Sequence, residues 1–233
     1  MHARPLHGMF TAVPRRYDLV NHAITWCLDT RWRRRAAAEC LVTRPCRVLD
    51  LCCGTGDLAI AVARLAGYGV EVTGIDFSEP MLRLASAKAA ATHAGVTFIY
   101  GDASALPFAD GYFDCIGISF AFRNLTYKNP LTKSYLSEVY RVMAPGGRFV
   151  IAETSQPGPK LVRALFHLYL RLFVANVGHW LSGNRSAYRY LAESARRFYS
   201  TGEVGGLLIS SGFSEFSSKS LLLGAAAIHI AVK

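Results

Sequence analysis

Cys46-Arg47-Val48-Leu49-Asp50-Leu51-Cys52-Cys53-Gly54-Thr55-Gly56-Asp57 is the stretch from which the fold is read. Val48, Leu49 and Leu51 form a short apolar run, the pattern of a buried parallel strand over Arg47–Leu51. Gly54-Thr55-Gly56 breaks it, and an Ala-rich apolar pattern over Leu58–Leu65 predicts a helix. A strand feeding a helix through glycines makes a ligand site. Glycine lets backbone approach a ligand closely, and the first turn of a helix presents unpaired N–H groups.

Three occupants fit such a turn. Gly54-x-Gly56-x-x-Ala59 satisfies the dinucleotide pattern with Ala as the third small residue. S-adenosylmethionine (SAM) also fits, and so does a tight turn that binds nothing. Asp50 at the strand end separates the first two. A carboxylate facing the turn repels a pyrophosphate and suits SAM, which carries a sulfonium and an ammonium and no phosphate. On this reading Asp50, Gly54, Thr55 and Gly56 hold SAM.

Further along, strand and helix patterns alternate. Strands are expected at Glu71–Ile75, Thr97–Tyr100, Phe113–Ser119, Arg148–Glu153, Phe213–Ser218 and Ala226–Val232, and helices at Glu79–Thr92 and Leu131–Met143. Alternation of this kind gives an α/β, doubly wound, Rossmann-like sheet, seven-stranded and mostly parallel. Ligands in such sheets bind beyond the carboxyl ends of the strands. Asp76, followed by Phe77, stands at the end of the second strand, where an acid binds ribose hydroxyls. Asp102 and Ala103 follow the third strand, and Asp102 is placed for the adenine amino group or for the reaction centre. Any one of these acids is also an ordinary turn or helix cap; three successive strands ending in Asp50, Asp76 and Asp102 point to a ligand. Ser119 ends the fourth strand and leads into Phe120-Ala121-Phe122-Arg123-Asn124. Pro145-Gly146-Gly147 is turn chemistry. Ser200-x-x-Glu203 reads as a capping box.

Two flanking segments interrupt the pattern inside a single domain spanning 1–233. Residues 1–45 read as two helices. Phe10, Val13, Tyr17, Val20 and Ile24 recur at helical spacing with Pro14 near a start, and Arg31-Trp32-Arg33-Arg34-Arg35 gives a basic helix face. Residues 157–197 read as a helical, lid-like insertion with segments Leu161–Trp180 and Ser186–Phe198. The charge follows the same division. Of the formal net +10, residues 1–47 carry nine Arg and Lys against three acids, and 160–197 carry seven against one. Residues 48–159 carry eight against ten. A basic face of this kind attracts nucleic acid, anionic lipid or an acidic substrate, or is a solvated surface. No recognised nucleic-acid motif is present, and no nucleic-acid partner is expected.

The six cysteines include no C-x-x-C pair and are expected to be reduced, mostly buried thiols; no metal site is expected. The start lacks the apolar core of a secretory signal. No run of about 20 apolar residues is present to span a bilayer. The expected location is the cytoplasm.

The residues as a set resemble the ubiquinone/menaquinone biosynthesis C-methyltransferases, a family of class I SAM-dependent methyltransferases. The likeness covers nearly the whole chain. It rests on Met9-Phe10 with Arg16-Tyr17-Asp18-x-x-Asn21, on Trp32-Arg33, on the glycine stretch, and on Ala105-Leu106-Pro107-Phe108. It continues through Phe122-Arg123-Asn124-Leu125-Thr126, Tyr140-Arg141-Val142 and Tyr188-Arg189-Tyr190-Leu191-Ala192-Glu193-Ser194. The glycine stretch identifies only the superfamily; the Arg-Asn-Leu-Thr and Tyr-Arg-Tyr-Leu-Ala-Glu-Ser pieces point to the family. Departures fall at Tyr127, Gln156, Tyr199 and Leu222, outside the cofactor loop.

The resemblance implies methyl transfer from SAM to a ring carbon of a demethylated polyprenyl quinol, of the menaquinone or the ubiquinone pathway. It places Thr55, Asp76, Asp102, Ala103 and Ser119 on the cofactor and Arg123 and Asn124 at the quinol ring. Arg123, Asn124 and Asp102 are the expected catalytic residues. Tyr17, Asn21, Phe122, Arg123, His179 and Tyr188 are the expected substrate contacts. Arg123 stays protonated and cannot be a base, so its role is to stabilise a phenolate or hold a water. A bilayer-resident substrate brings the enzyme to an anionic membrane surface, where each basic residue contributes about 1 kcal/mol, and the Leu161–Trp180 helix suits that interface. A homodimer is left open. Two other functions fit the sequence: a methyltransferase for a different aromatic or lipid-like acceptor, and a non-catalytic basic binding protein on the same fold.

Overall fold

A computed structural model describes residues 17–174, 176, 177, 180 and 185–233. Phe10, Val13, Pro14 and His179 lie outside the described residues. The elements run α1 (Tyr17–Thr25), α2 (Leu28–Cys40), β1 (Arg47–Leu51), α3 (Asp57–Ala66), β2 (Glu71–Asp76), α4 (Glu79–Ala91) and β3 (Thr97–Tyr100). They continue with β4 (Phe113–Ser119), α5 (Phe122–Thr126), α6 (Thr132–Val142), β5 (Met143–Thr154) and α7 (Lys160–Tyr169). A π-helical turn (Leu170–Val174), α8 (Arg185–Arg196), α9 (Thr201–Ser210), β6 (Glu215–Leu221) and β7 (Ala226–Val232) complete the chain.

The seven strands form one sheet in the order β3-β2-β1-β4-β5-β7-β6. The first five are parallel, and β7 and β6 close the sheet antiparallel. Parallel strands buried on both faces need unbroken apolar runs. β1, β4 and β5 supply them: Val48, Leu49, Leu51, Ile116, Ile118, Phe149, Val150 and Ile151 are all at most 1% exposed. The strand order runs outward from β1 to β3 on one side and from β4 on the other, which makes the carboxyl ends of the parallel neighbours β1 and β4 the switch point where such sheets bind ligands.

Two strand starts differ from the sequence reading. β5 starts at Met143, not Arg148, because Met143 pairs with Phe113 before a register shift carries Cys115 opposite Arg148. β6 starts two residues late because Phe213 packs into the core instead. Helix α5 was not anticipated; five residues are too few to show a period. The expected capping box is present: Glu203 N–H donates to Ser200 Oγ and Ser200 N–H donates to Glu203 Oε2 at 2.8 Å.

The insertion packs against the first helix. Val20 and Ile24 of α1 are buried with Leu170, Val174, Tyr188, Ala192 and Ala195, and Tyr169 Oη donates to Ile24 O at 2.6 Å. None of the six cysteines is in a disulfide; Cys40 and Cys115 are buried, but Cys27 and Cys46 are exposed, against the expectation of mostly buried thiols. Among the described residues no helix is long and apolar enough to cross a membrane, and no group of side chains is arranged to hold a metal ion.

His229 on β7 is a buried histidine. Nδ1 lies 3.0 Å from Ser218 Oγ, Nε2 has no partner, and burial pushes its pKa down to about 4. The unfolded chain titrates this group near 6.5, so its contribution to stability is present above that pH and lost as pH falls towards 4. His229→Gln is expected to remove about 2–3 kcal/mol of acid destabilisation between pH 7 and 4.5. Urea midpoints at the two pH values check this; an equal change in variant and parent would refute it.

Candidate active site

The glycine loop reverses the chain from β1 into α3 through three left-handed positions, Cys52 (φ 54), Gly54 (φ 54) and Gly56 (φ 79). At Gly56 a side chain is also sterically barred, since a Cβ there would lie 2.8 Å from Phe98 Cζ and 3.0 Å from the Ala85 Cβ. At Gly54 the space a Cβ would fill is open. Asp76 fixes the loop from the next strand. Its Oδ2 accepts from Gly54 N–H and its Oδ1 from Ser78 N–H, both at 2.9 Å, and burial raises its pKa. The acid at the end of β2 thus braces the glycine loop and, through the Ser78 N–H two residues on, the turn that leads into α4.

Asp50 corrects the sequence reading. Its carboxyl is buried behind the loop, where Oδ2 accepts from Ala59 N–H at 2.9 Å and Oδ1 has no partner. Burial pushes its pKa up to about 8, so near neutral pH it is mostly uncharged. It braces helix α3 and presents no charge to a ligand.

A cavity of about 260 Å³ opens at the carboxyl ends of β1, β2 and β4. Gly54, Thr55, Asp76, Phe77, Asp102 and Ser119 line it, as does Asn124. Asp57, Cys52, Cys53, Met81, Tyr100, Phe120, Ala121, Leu125, Asn129, Tyr135 and Arg33 complete the wall. Three carboxylates against one guanidinium make a wall that disfavours a pyrophosphate and accepts a cationic or zwitterionic nucleoside. The discrimination that the sequence argument gave to Asp50 therefore falls to Asp57, Asp76 and Asp102. Asp102 is exposed, and its Oδ1 accepts from Ser104 N–H at 2.8 Å and Ser104 Oγ–H at 2.9 Å.

Other expected site residues lie away from the wall. Gly56 is buried against Phe98, and Ala103 joins the core. Phe122 is fully buried, and Arg123 is 3% exposed. On α5 successive side chains turn by about 100°, so Phe122, Arg123 and Thr126 face inward while Asn124 and Leu125 reach the cavity. Arg123 Nη1 donates to Glu153 Oε1 at 2.9 Å and to Thr154 Oγ1 at 2.8 Å, and Arg123 N–H donates to Glu153 Oε2 at 3.0 Å. Glu153 is itself fully buried. The expectation that Arg123 faces a ring in the cavity is corrected: its charge is committed to Glu153. Tyr188 is buried against α1, and Asn21 is half-buried on α1, off the wall. Tyr17 opens α1 with only its backbone described, and His179 lies outside the described residues.

A family model for the ubiE/COQ5 methyltransferase family matches residues 1–233. The chain belongs to the ubiE/COQ5 methyltransferase family. It is an enzyme, a methyltransferase. A demethylmenaquinone methyltransferase of Thermus thermophilus is 42% identical over 223 residues, covering 95% of this chain and 98% of that protein. The Deinococcus radiodurans protein of the same name is 40% identical over 205 residues, covering 88% and 83%. Among solved structures, a SAM-dependent methyltransferase from Aquifex aeolicus superposes with a TM-score of 0.56 at 20% identity, covering 80% of each chain. The SAM-dependent methyltransferase SibL in its apo form superposes at 0.67 and 19%, covering 97% of this chain and 61% of that one. At such identities these likenesses show the fold alone.

Within this ubiE/COQ5 methyltransferase, Arg33, Phe120, Asn129 and Tyr135 are wall residues that the sequence reading did not assign. Arg33 was readable in part. It stands four residues after Asp29, the spacing of a helical ion pair, and the pair forms at 2.5 Å. What hid it was its place in a run of arginines: Arg31, Arg34 and Arg35 are exposed while Arg33 turns inward. Phe120 takes a left-handed backbone (φ 57) that no sequence pattern announces.

Proposed function

We propose that the protein transfers the methyl group of SAM to a ring carbon of demethylmenaquinol. The observation that carries this reading is the acidic wall beside the glycine loop, ending at Asn124 on α5, in a chain whose family and named relatives methylate. SAM supplies an activated methyl group. Gly54 and Thr55 take the amino-acid end, Asp76 the ribose hydroxyls, and Phe77 and Met81 the flat faces of the base, with Asp102 and Ser119 on either side. Carboxylates near a sulfonium favour its charge, and Gly54 leaves room for close approach.

A quinol ring carbon becomes a nucleophile once a neighbouring hydroxyl loses its proton. Asn124 supports the role of orienting that hydroxyl. Asp102, exposed where Asp76 is buried, supports the role of proton acceptor, directly or through water. Arg123 acts one step back: pinned to Glu153, it sets the turn of α5 that presents Asn124, and it is a positioning residue. The test is incubation with SAM and chemically reduced demethylmenaquinone, with product mass read by spectrometry. One added methyl group on the ring is expected. Confirmed SAM binding by calorimetry with no methylated quinol would overturn the acceptor, and no SAM binding would overturn the cofactor.

We also propose that the enzyme meets its acceptor at an anionic membrane surface. Helix α7 has no buried residue, and Leu161, Leu165 and Leu168 form an exposed stripe that continues to Leu172. Lys160, Arg163 and Arg171 flank the stripe, and no acid interrupts it. This pairing of apolar stripe and cations suits an interfacial helix. Vesicle flotation is expected to retain the protein on anionic but not neutral vesicles, with retention lost at high salt and in Leu165→Glu. Equal recovery on both vesicle types would refute it.

A further inference from the structure

The hairpin between β6 and β7 reverses through a 3₁₀ turn at Leu222–Gly224. Leu222 (φ 43) and Leu223 (φ 55) both take the left-handed backbone, where glycine and asparagine are the ordinary residues and a leucine is strained. Their side chains gain no burial in exchange: Leu222 is 55% exposed and Leu223 74%. Leu222 is also one of the positions where the sequence departs from the family pattern. Leu221 pairs with Ala226 and Ala226 with Thr154, so the tip lies at the carboxyl end of β5, the end of the sheet where the cavity opens. Strand spacing puts it roughly 10–15 Å along the sheet from the end of β4. The tip also meets the entry to α7. Gly224 packs so closely on Pro157 that a Cβ there would lie 3.1 Å from the Pro157 Cα. Arg163 of α7 brackets the same turn, its Nε donating to Pro157 O at 2.8 Å and its Nη2 to Gly158 O at 3.0 Å. Carbonyls accept these hydrogen bonds without cancelling the charge. No Asp or Glu occurs in 154–192 or in 216–233.

We propose that Leu222 and Leu223 insert into an anionic lipid surface beside α7, as a second apolar contact that turns the cavity mouth towards the bilayer. This rests on the proposed docking of α7 at a membrane. Two strained leucines at a hairpin end serve their side chains and not the turn, and strain of this kind collects where a ligand is clamped. Moving each side chain out of water is favourable in proportion to its apolar area. A fluid acyl layer accepts a convex tip without a matching pocket. A stable protein interface needs about 800 Å² from each partner, more than two leucines offer. The Arg163 guanidinium beside the tip suits the lipid phosphates. Helix α7 alone leaves the enzyme free to roll about the helix axis, and a contact on a separate element limits that motion.

The test uses the full chain and vesicles of phosphatidylglycerol and phosphatidylcholine in equal parts, with binding read by sedimentation. Leu222→Asn with Leu223→Gly supplies residues suited to the left-handed turn, so its urea midpoint should equal or exceed the parent's. Its vesicle affinity should be about 10- to 100-fold weaker. Affinity within about twofold of the parent would overturn the proposal. Leu223→Trp keeps a bulky apolar tip, and its added emission should shift to the blue on vesicle addition, beyond the parent's own change. No added shift would overturn insertion even if the double variant does not fold. Equal vesicle affinities with a dimeric parent and a monomeric double variant would assign the tip to a second copy of the chain and overturn the proposal. A parent that binds no vesicle overturns the α7 reading and this one together. A parent that binds, a Leu165→Glu variant that does not, and a double variant that matches the parent overturn this one alone.

Discussion

Arg123→Ala is expected to destabilise the protein by about 3–5 kcal/mol, through Glu153 and not through catalysis. The two side chains are 3% and 0% exposed. Their mutual attraction offsets the loss of water around both charges; removing one leaves the other buried and uncompensated. Glu153 also accepts from the backbone N–H groups of Arg123 and Thr154, so a displaced carboxylate takes the end of β5 and the start of α5 with it. Urea unfolding would show the loss. The double variant Arg123→Met with Glu153→Gln should recover most of it, because Gln keeps the acceptor and Met fills the volume. A single-variant loss under about 1 kcal/mol, or a double variant no better than the single, would contradict the buried pair. Activity lost by Arg123→Ala alone reports folding. The double variant is the one in which turnover can be read, and reduced turnover with unchanged cofactor affinity would mark Arg123 as positioning Asn124.

Asp50→Asn should have the opposite sign and raise stability at neutral pH. The folded group is raised to about 8 by burial, against an unfolded value near 4. The neutral carboxyl is therefore the form the fold prefers. Its contribution is full below about pH 4 and is lost as pH rises from there to about 8. Over that interval the group alone removes on the order of 4 kcal/mol by pH 7. Asn has no such titration, and its side-chain oxygen can accept the Ala59 N–H as Asp50 does. Denaturant midpoints from pH 6.5 to 8, above the His229 transition, should fall in the parent and stay nearly level in the variant. A parallel fall in both would show that Asp50 is not the titrating group. Between about pH 4 and 6.5, Asp50 and His229 act with opposite slopes, so the parent looks flatter there than either single variant.

The sheet was legible because its parallel strands are short apolar runs closed by acids or glycines, and a period of that kind does not depend on what packs against it. β1, β3, β4 and β7 fall where the sequence reading puts them. The site was less legible. A strand-end acid announces where a ligand binds but not which way its side chain turns. Asp50, Asp76 and Asp102 look alike in sequence. Yet Asp50 faces inward to Ala59, Asp76 joins brace and wall, and Asp102 is exposed. The same limit separates Arg123 from Asn124. They are neighbours on a five-residue helix, and only the position of Glu153, thirty residues on, decides which reaches the cavity. Arg33 shows the converse, a ligand-wall residue concealed among surface arginines because its partners Phe120 and Asp57 come from distant segments.

Helix α1 touches the glycine loop through Asp18, whose Oδ1 accepts from Thr55 Oγ1 at 2.7 Å, and the insertion through Val20 and Ile24. Nine residues thus stand between the cofactor cavity and the helices that carry the exposed leucine stripe. Leu19, on the same helix, is 58% exposed. A single dye attached there sits beside Asp18 and Val20, so one spectroscopic signal can follow the order in which the cofactor and the proposed quinol acceptor arrive.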